Sequence, residues 1–141
     1  MRSEQIEAGL TWSDFVVVRL LRRWAAVRSL GDNALPSLVA LAGELGESPQ
    51  VAISLHSLFQ LTESCLARPL VAECCCSRSL AADERATLTM LASASRLMPL
   101  RTPAAVPHGL PAALAWAAAT ARLMLGGEVT SAAQPGCPFA R

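Results

Sequence analysis

Residues 48–66 constrain the fold more than any other stretch, because they carry one continuous apolar face at helical spacing and almost no charge. Placed at about 100° per residue, Val51, Leu55, Leu58, Phe59, Thr62, Cys65 and Leu66 share one side. Ser48 precedes them as an N-cap, and Pro49 suits the first helical position, where its missing N–H would have no partner anyway. Ile53, His56, Ser57, Gln60 and Ser64 lie opposite, with Glu63 as the only full charge. Such a helix needs cover on its apolar side, so it predicts a central packing element. Its uncharged far side, with His56 and Gln60, is a candidate partner surface.

Helical punctuation recurs along the chain. Thr11 or Ser13 opens a helix over residues 11–30, with Asp14 in the first turn, where the helix dipole favours a negative charge. Val16, Val17, Leu20, Leu21, Trp24 and Val27 form its apolar side, and Arg19, Arg22 and Arg23 form a solvated basic face. Gly31 ends it, and Asp32 or Asn33 starts a second helix over residues 35–45 that stops at Gly46. After Arg68 and Pro69, residues 70–79 read as a short buried connector containing Val71, Cys74, Cys75 and Cys76. A fourth helix follows over residues 81–98, with Asp83 and Glu84 serving the dipole of its first turn and Leu88, Leu91, Ala92, Ser95 and Met98 facing inward.

Pro99, Pro103, Pro107 and Pro111 then recur every fourth residue and predict an extended connector. The last helix, residues 110–125, is apolar on nearly every side. This makes it the candidate dimer or partner interface, with Trp116 and Leu123 at its centre. Strand alternation is absent. The expected architecture is therefore all-α, a compact bundle of about five helices with a proline-rich connector before the last. Residues 1–10 form a flexible N-terminus, 11–127 the bundle and 128–141 a flexible tail.

A chain of 141 residues can bury a core without disulfides or metal. Its net charge of +1 creates no field that would attract nucleic acid or anionic membranes. The longest uncharged run is broken by prolines, so no transmembrane segment is expected, and the N-terminus lacks the apolar stretch of a secretory signal. Five cysteines, three of them adjacent, do not form a disulfide framework, which places the protein in a reducing cytoplasm.

No glycine-rich phosphate loop, nucleophile elbow or paired zinc-binding histidines occur, so no catalytic residue and no cofactor is implied. Zinc ligands come in pairs two to four residues apart, and only Cys74 and Cys76 approach that pattern. They are the candidate metal ligands, and Cys74, Cys75 and Cys76 together are the candidate redox site, with Glu73 opposing thiolate formation and Arg78 favouring it. The expected function is that of a non-catalytic protein-interaction or regulatory module that self-associates or binds a protein partner. A thiol-based redox or metal sensor is the first alternative.

From residue 41 to 54 the chain reads Leu-Ala-Gly-Glu-Leu-Gly-Glu-Ser-Pro-Gln-Val-Ala-Ile-Ser, with Ala42 four positions before Gly46, Leu45 between them and Ser48 opening the next helix. This resembles the helix-turn-helix of bacterial transcription regulators, and it implies DNA reading through residues 35–66 as a second alternative. Residues 48–67 contain neither Arg nor Lys, and Glu47 and Glu63 would repel phosphate, which argues against nucleic acid as a partner. Around Leu21-Arg22-Arg23-Trp24-Ala25-Ala26 and from Glu73 through Arg78 to Asp83 and Glu84, the chain resembles small helical proteins of proteobacteria whose function is not known. The resemblance spans about residues 15–95 and implies an all-helical fold without an activity or cofactor.

Overall fold

The computed structural model describes residues 9–94 and 110–126. Among them are five helices and no strand: α1 (Trp12–Ser29), α2 (Leu35–Glu44), α3 (Pro49–Leu66), α4 (Ala82–Ala92) and α5 (Leu110–Met124). The expected all-α bundle is the architecture observed. Of the flexible ends expected at residues 1–10 and 128–141, residues 1–8 and 128–141 lie outside the described residues, as do residues 99–109 of the proline connector. So do Ser95 and Met98; α4 ends at Ala92, earlier than the periodicity predicts.

Local chemistry sets the ends of the first three helices. Thr11 caps α1 reciprocally: its hydroxyl accepts the Asp14 N–H at 3.1 Å, and the Asp14 carboxylate accepts the Thr11 N–H at 3.1 Å. Both α1 and α2 close with a pair of backbone bonds around a glycine of positive φ. Gly31 and Asp32 donate to the Arg28 and Val27 carbonyls, and Gly46 and Glu47 donate to those of Gly43 and Ala42. Asn33 assists the start of α2 by accepting the Leu35 N–H. Ala67 ends α3 at φ 55°, a left-handed conformation that costs a residue with a Cβ about 1–2 kcal/mol.

α1 and α3 run parallel in one register. Trp12 donates to Glu47, Trp24 packs on Phe59 with ring centroids 5.5 Å apart, and Arg28 pairs with Glu63; each pair is 35 residues apart. α2 returns between them, and α5 packs on α3 more extensively than any other pair of helices packs. The main core is built from Val16, Val17, Leu20, Leu21 and Trp24 of α1, Leu38 and Leu41 of α2, and Val51, Leu55, Leu58 and Phe59 of α3. α5 contributes Ala118 and Ala121, both fully buried, whose small side chains allow close approach. Cys65 and Leu66, expected in this core, are exposed in the last turn of α3, where residues 64–69 lie at the surface.

α1 is covered on a second side as well. Phe15, Val18 and Leu80 form a smaller core, with Leu88 packed against it. This overturns the reading of Arg22 as part of a solvated face and of Glu84 as a dipole-serving surface acid. The Arg22 and Glu84 side chains are 1% and 0% exposed and form an ion pair with Nε 2.7 Å from Oε2. A second bond from Nη2 to Oε1, at 3.1 Å, makes the pair bidentate. Arg22 also donates to the Ser77 and Ser79 carbonyls, each at 2.9 Å, and Glu84 accepts the Ala81 N–H. Arg122 of α5 donates to the Leu91 and Ala92 carbonyls, so a cation closes the C-terminal end of α4.

Removing one member of a buried pair leaves the other charge without a partner, at a cost of about 3–5 kcal/mol. Urea unfolding followed by circular dichroism should show Arg22→Met and Glu84→Leu each destabilised by about that amount, with the double variant more stable than either single one. Single variants within about 0.5 kcal/mol of the parent chain would show that the pair does not hold this half of the fold.

Candidate functional site

Between α3 and α4, residues 67–81 contain neither helix nor strand. Connections of this length without secondary structure are uncommon in a compact domain and are usually functional when ordered. This one is a strap pinned at both ends. Buried Leu70 and Leu80 anchor it. The Leu70 N–H donates to Glu63 at 2.6 Å and the Val71 N–H to Asp83 at 2.7 Å, while Arg22 holds the Ser77 and Ser79 carbonyls. Arg68 clamps Asp83 with two bonds of 2.7 and 2.9 Å.

The three adjacent cysteines sit at the tip. They were expected to be buried with Val71, but all three thiols and Val71 are exposed. The physical reason is that Leu70 and Leu80 already satisfy the apolar demand of the strap, while Arg22 pulls its polar backbone inward. The Ser77 N–H donates to the Cys74 carbonyl at 3.0 Å, closing a four-residue turn. That turn brings Cys74 Sγ and Cys76 Sγ to 3.6 Å, within hydrogen-bonding range for sulfur.

The contact makes the two thiols unequal. The side-chain hydrogen bond from Cys76 holds the Cys74 thiol below its ordinary value, helped by the Cys76 backbone N–H and opposed by nearby Glu73. Cys76 is pushed up by its hydrogen bond with Cys74 and by the negative charge of Cys74 and Cys75. Hydrogen bonding within the pair thus favours one thiolate over two. As metal ligands, two sulfurs supply half of a closed tetrahedral site. Among the described residues no group of three or more His, Cys, Asp or Glu side chains converges, and Cys137 lies outside them.

Two clefts flank the strap. One, of about 570 Å³, is lined by Arg19, Arg22 and Arg23 of α1 and by Glu73, Cys74 and Cys75 of the strap. Arg19 lies over the Phe15 ring at 5.7 Å, and Arg23 donates to Ser37 at 3.1 Å. The other cleft, of about 870 Å³, holds His56 and Gln60 together with Trp24, Arg28, Glu63 and Arg68. Burial lowers the His56 pKa, which favours the neutral ring. Arg28 stacks on Trp24 at 4.7 Å and pairs with Glu63 at 3.0 Å.

The structure thus joins His56 to Gln60 in one wall, and Cys74 to Cys76 in one turn. It does not bring Trp116 or Leu123 into either cleft. Those two stand 45% and 50% exposed on the outer side of α5 with Met124, while its alanines face α3. The residues that sequence reasoning missed are Arg22 and Glu84. Their signal was position: Arg22 follows Phe15 and Val18 at helical spacing, and Glu84 precedes Leu88 and Leu91 on the inner side of α4.

No helix of the described residues is long and apolar enough to cross a membrane. No protein-family model, curated protein or solved structure matches this chain. The geometry of the strap and its clefts is accordingly the ground for a functional reading.

Asp83 titrates far below the ordinary range, at about 2, because Arg68 and the Val71 N–H both bond its ionised form. A lowered folded-state value contributes stability that is present above about pH 4 and lost as pH falls towards about 2. Asp83→Asn should therefore flatten the acid limb of stability in that window, measured by urea midpoints across pH. An unchanged limb would mean that this clamp does not hold the strap to α4.

Proposed function

We propose that this chain is a small non-catalytic regulatory module whose working element is the exposed dithiol, with Cys74 and Cys76 passing between the reduced pair and an intramolecular disulfide. The observation that carries this reading is the 3.6 Å approach of two exposed sulfurs in a turn pinned at both flanks. A disulfide needs the sulfurs at about 2.05 Å, a closure of side chains rather than of helices. Towards hydrogen peroxide, the Cys74 thiolate attacks one oxygen, the O–O bond breaks, and the hydroxide that leaves takes a proton from solvent, giving the sulfenic acid. The Cys76 thiol then attacks that sulfur and a second water leaves. Because Arg22, Glu63 and Asp83 hold the flanks of the turn, closing the bridge changes the shape of the tip while the bundle stays in place.

A reducing compartment such as the bacterial cytoplasm fits this use of free thiols. DNA reading has no part in the proposal, since the exposed positions of α3, Pro49, Gln50, Ile53, Ser57, Gln60, Ser64, Cys65 and Leu66, include no cation to meet phosphate. Hydrogen peroxide treatment of the full chain, followed by peptide mass spectrometry, is expected to give a peptide lacking two hydrogens with Cys74 and Cys76 blocked to alkylation. In Cys76→Ser the same treatment should leave Cys74 as a sulfenic acid that a nucleophilic probe captures. Full alkylation of both thiols after peroxide would overturn the proposal.

Self-association through α5 is a second reading, favoured by Trp116, Leu123 and Met124 standing exposed on one helix. Three large apolar side chains on one surface bury against a second copy more readily than scattered ones do. Light scattering should give a dimer mass for the parent chain and a monomer mass for Leu123→Glu. A variant with the parent mass would remove α5 as the interface.

A further inference from the structure

The cleft beside Cys74 selects the oxidant that the Cys74–Cys76 pair would meet. Its volume of about 570 Å³ suits a small molecule and not a protein surface. Arg19 and Arg23 stand four residues apart, on one face of α1. Neither pairs with a carboxylate among the described residues, whereas Arg22, Arg28 and Arg68 each do. Arg22, deeper in the same wall, is already neutralised by Glu84. Glu73 supplies one opposing carboxylate on the strap side, so two guanidinium groups and one acid line the cleft together with Cys74.

We infer that this cleft admits the disulfide form of a small carboxylate-bearing thiol, held by Arg19 and Arg23, and delivers it to Cys74. The inference rests on the dithiol reading and names its oxidant. Guanidinium groups recognise carboxylates through paired N–H donors, and an electropositive cleft raises the local concentration of an anion. The Cys74 thiolate attacks one sulfur of the bound disulfide, whose S–S bond breaks; one thiolate leaves with the electron pair and takes a proton from solvent. Cys76, 3.6 Å away, then attacks the Cys74 sulfur and gives its own proton to solvent. The second small thiol is expelled, again taking up a proton. The protein dithiol is oxidised by two electrons, and one small disulfide is reduced to two thiols.

The test compares rates of Cys74 modification, mapped by peptide mass spectrometry, in the reduced full chain with two probes. Dithiobis(nitrobenzoate) is anionic and dithiodipyridine is neutral. Arg19→Gln with Arg23→Gln is expected to slow the anionic probe about tenfold at low ionic strength and to leave the neutral probe unchanged. Arg19→Lys with Arg23→Lys, which keeps the charge, should retain most of the anionic rate, and added salt should erase the preference in the parent chain. Equal slowing with both probes, or no slowing with either, would overturn the inference. If Cys74 shows the anionic preference but Cys76 never closes the bridge, the cleft assignment stands and the dithiol switch fails. If the bridge closes without any charge preference, the switch stands and the cleft assignment fails.

Discussion

The Arg22–Glu84 pair is the interaction on which one half of this structure depends. Two charges removed from water are tolerated only when their geometry is complete and their remaining hydrogen-bonding capacity is used. Both conditions hold here: the guanidinium meets the carboxylate with two bonds and two strap carbonyls with two more, while the carboxylate also takes the Ala81 N–H. One ion pair therefore joins α1, the strap and α4. Phe15, Val18 and Leu80 close beside it, and they sit where they do because the pair seats α4 against α1.

The other half is organised by α3. Its constant offset of 35 residues from α1 shows two helices lying parallel, with α2 returning between them and α5 covering the remaining side. A stretch that resembles a DNA-reading helix is in this setting a packing element. Most of its apolar face is covered by three neighbours, and what it presents to solvent is uncharged apart from half-buried Glu63, with Ile53 and Leu66 the large apolar side chains exposed on it. α5 can approach α3 closely because Ala118 and Ala121 face it, and the same choice sends Trp116, Leu123 and Met124 outward.

The strap shows how a bundle displays exposed thiols without loosening. An irregular segment leaves its backbone donors and acceptors unpaired, and each needs a partner or water. Glu63, Asp83 and Glu84 accept backbone N–H groups at the flanks, and Arg22 accommodates two carbonyls. Order is thus imposed from both sides on a tip whose thiols stay in solvent. A short turn within that tip does the remaining work of bringing two sulfurs together.

The sequence by itself determined the helices and most of their ends, because those depend on groups within four residues of one another. Thr11 with Asp14, Gly31, Gly46 and Pro49 act locally and were legible as written. Cys74 and Cys76 stood out as candidates, but their meeting depends on the turn closed by the Ser77 N–H, which the sequence did not announce. Tertiary structure alone decided which flank of α1 is buried, since the partner of Arg22 stands 62 residues away and a helical wheel cannot count the neighbours around it. It also decided that the thiols face solvent and that α5 is apolar on two sides for two different reasons. Exposure is a property of what packs alongside, and no residue carries it in its own identity.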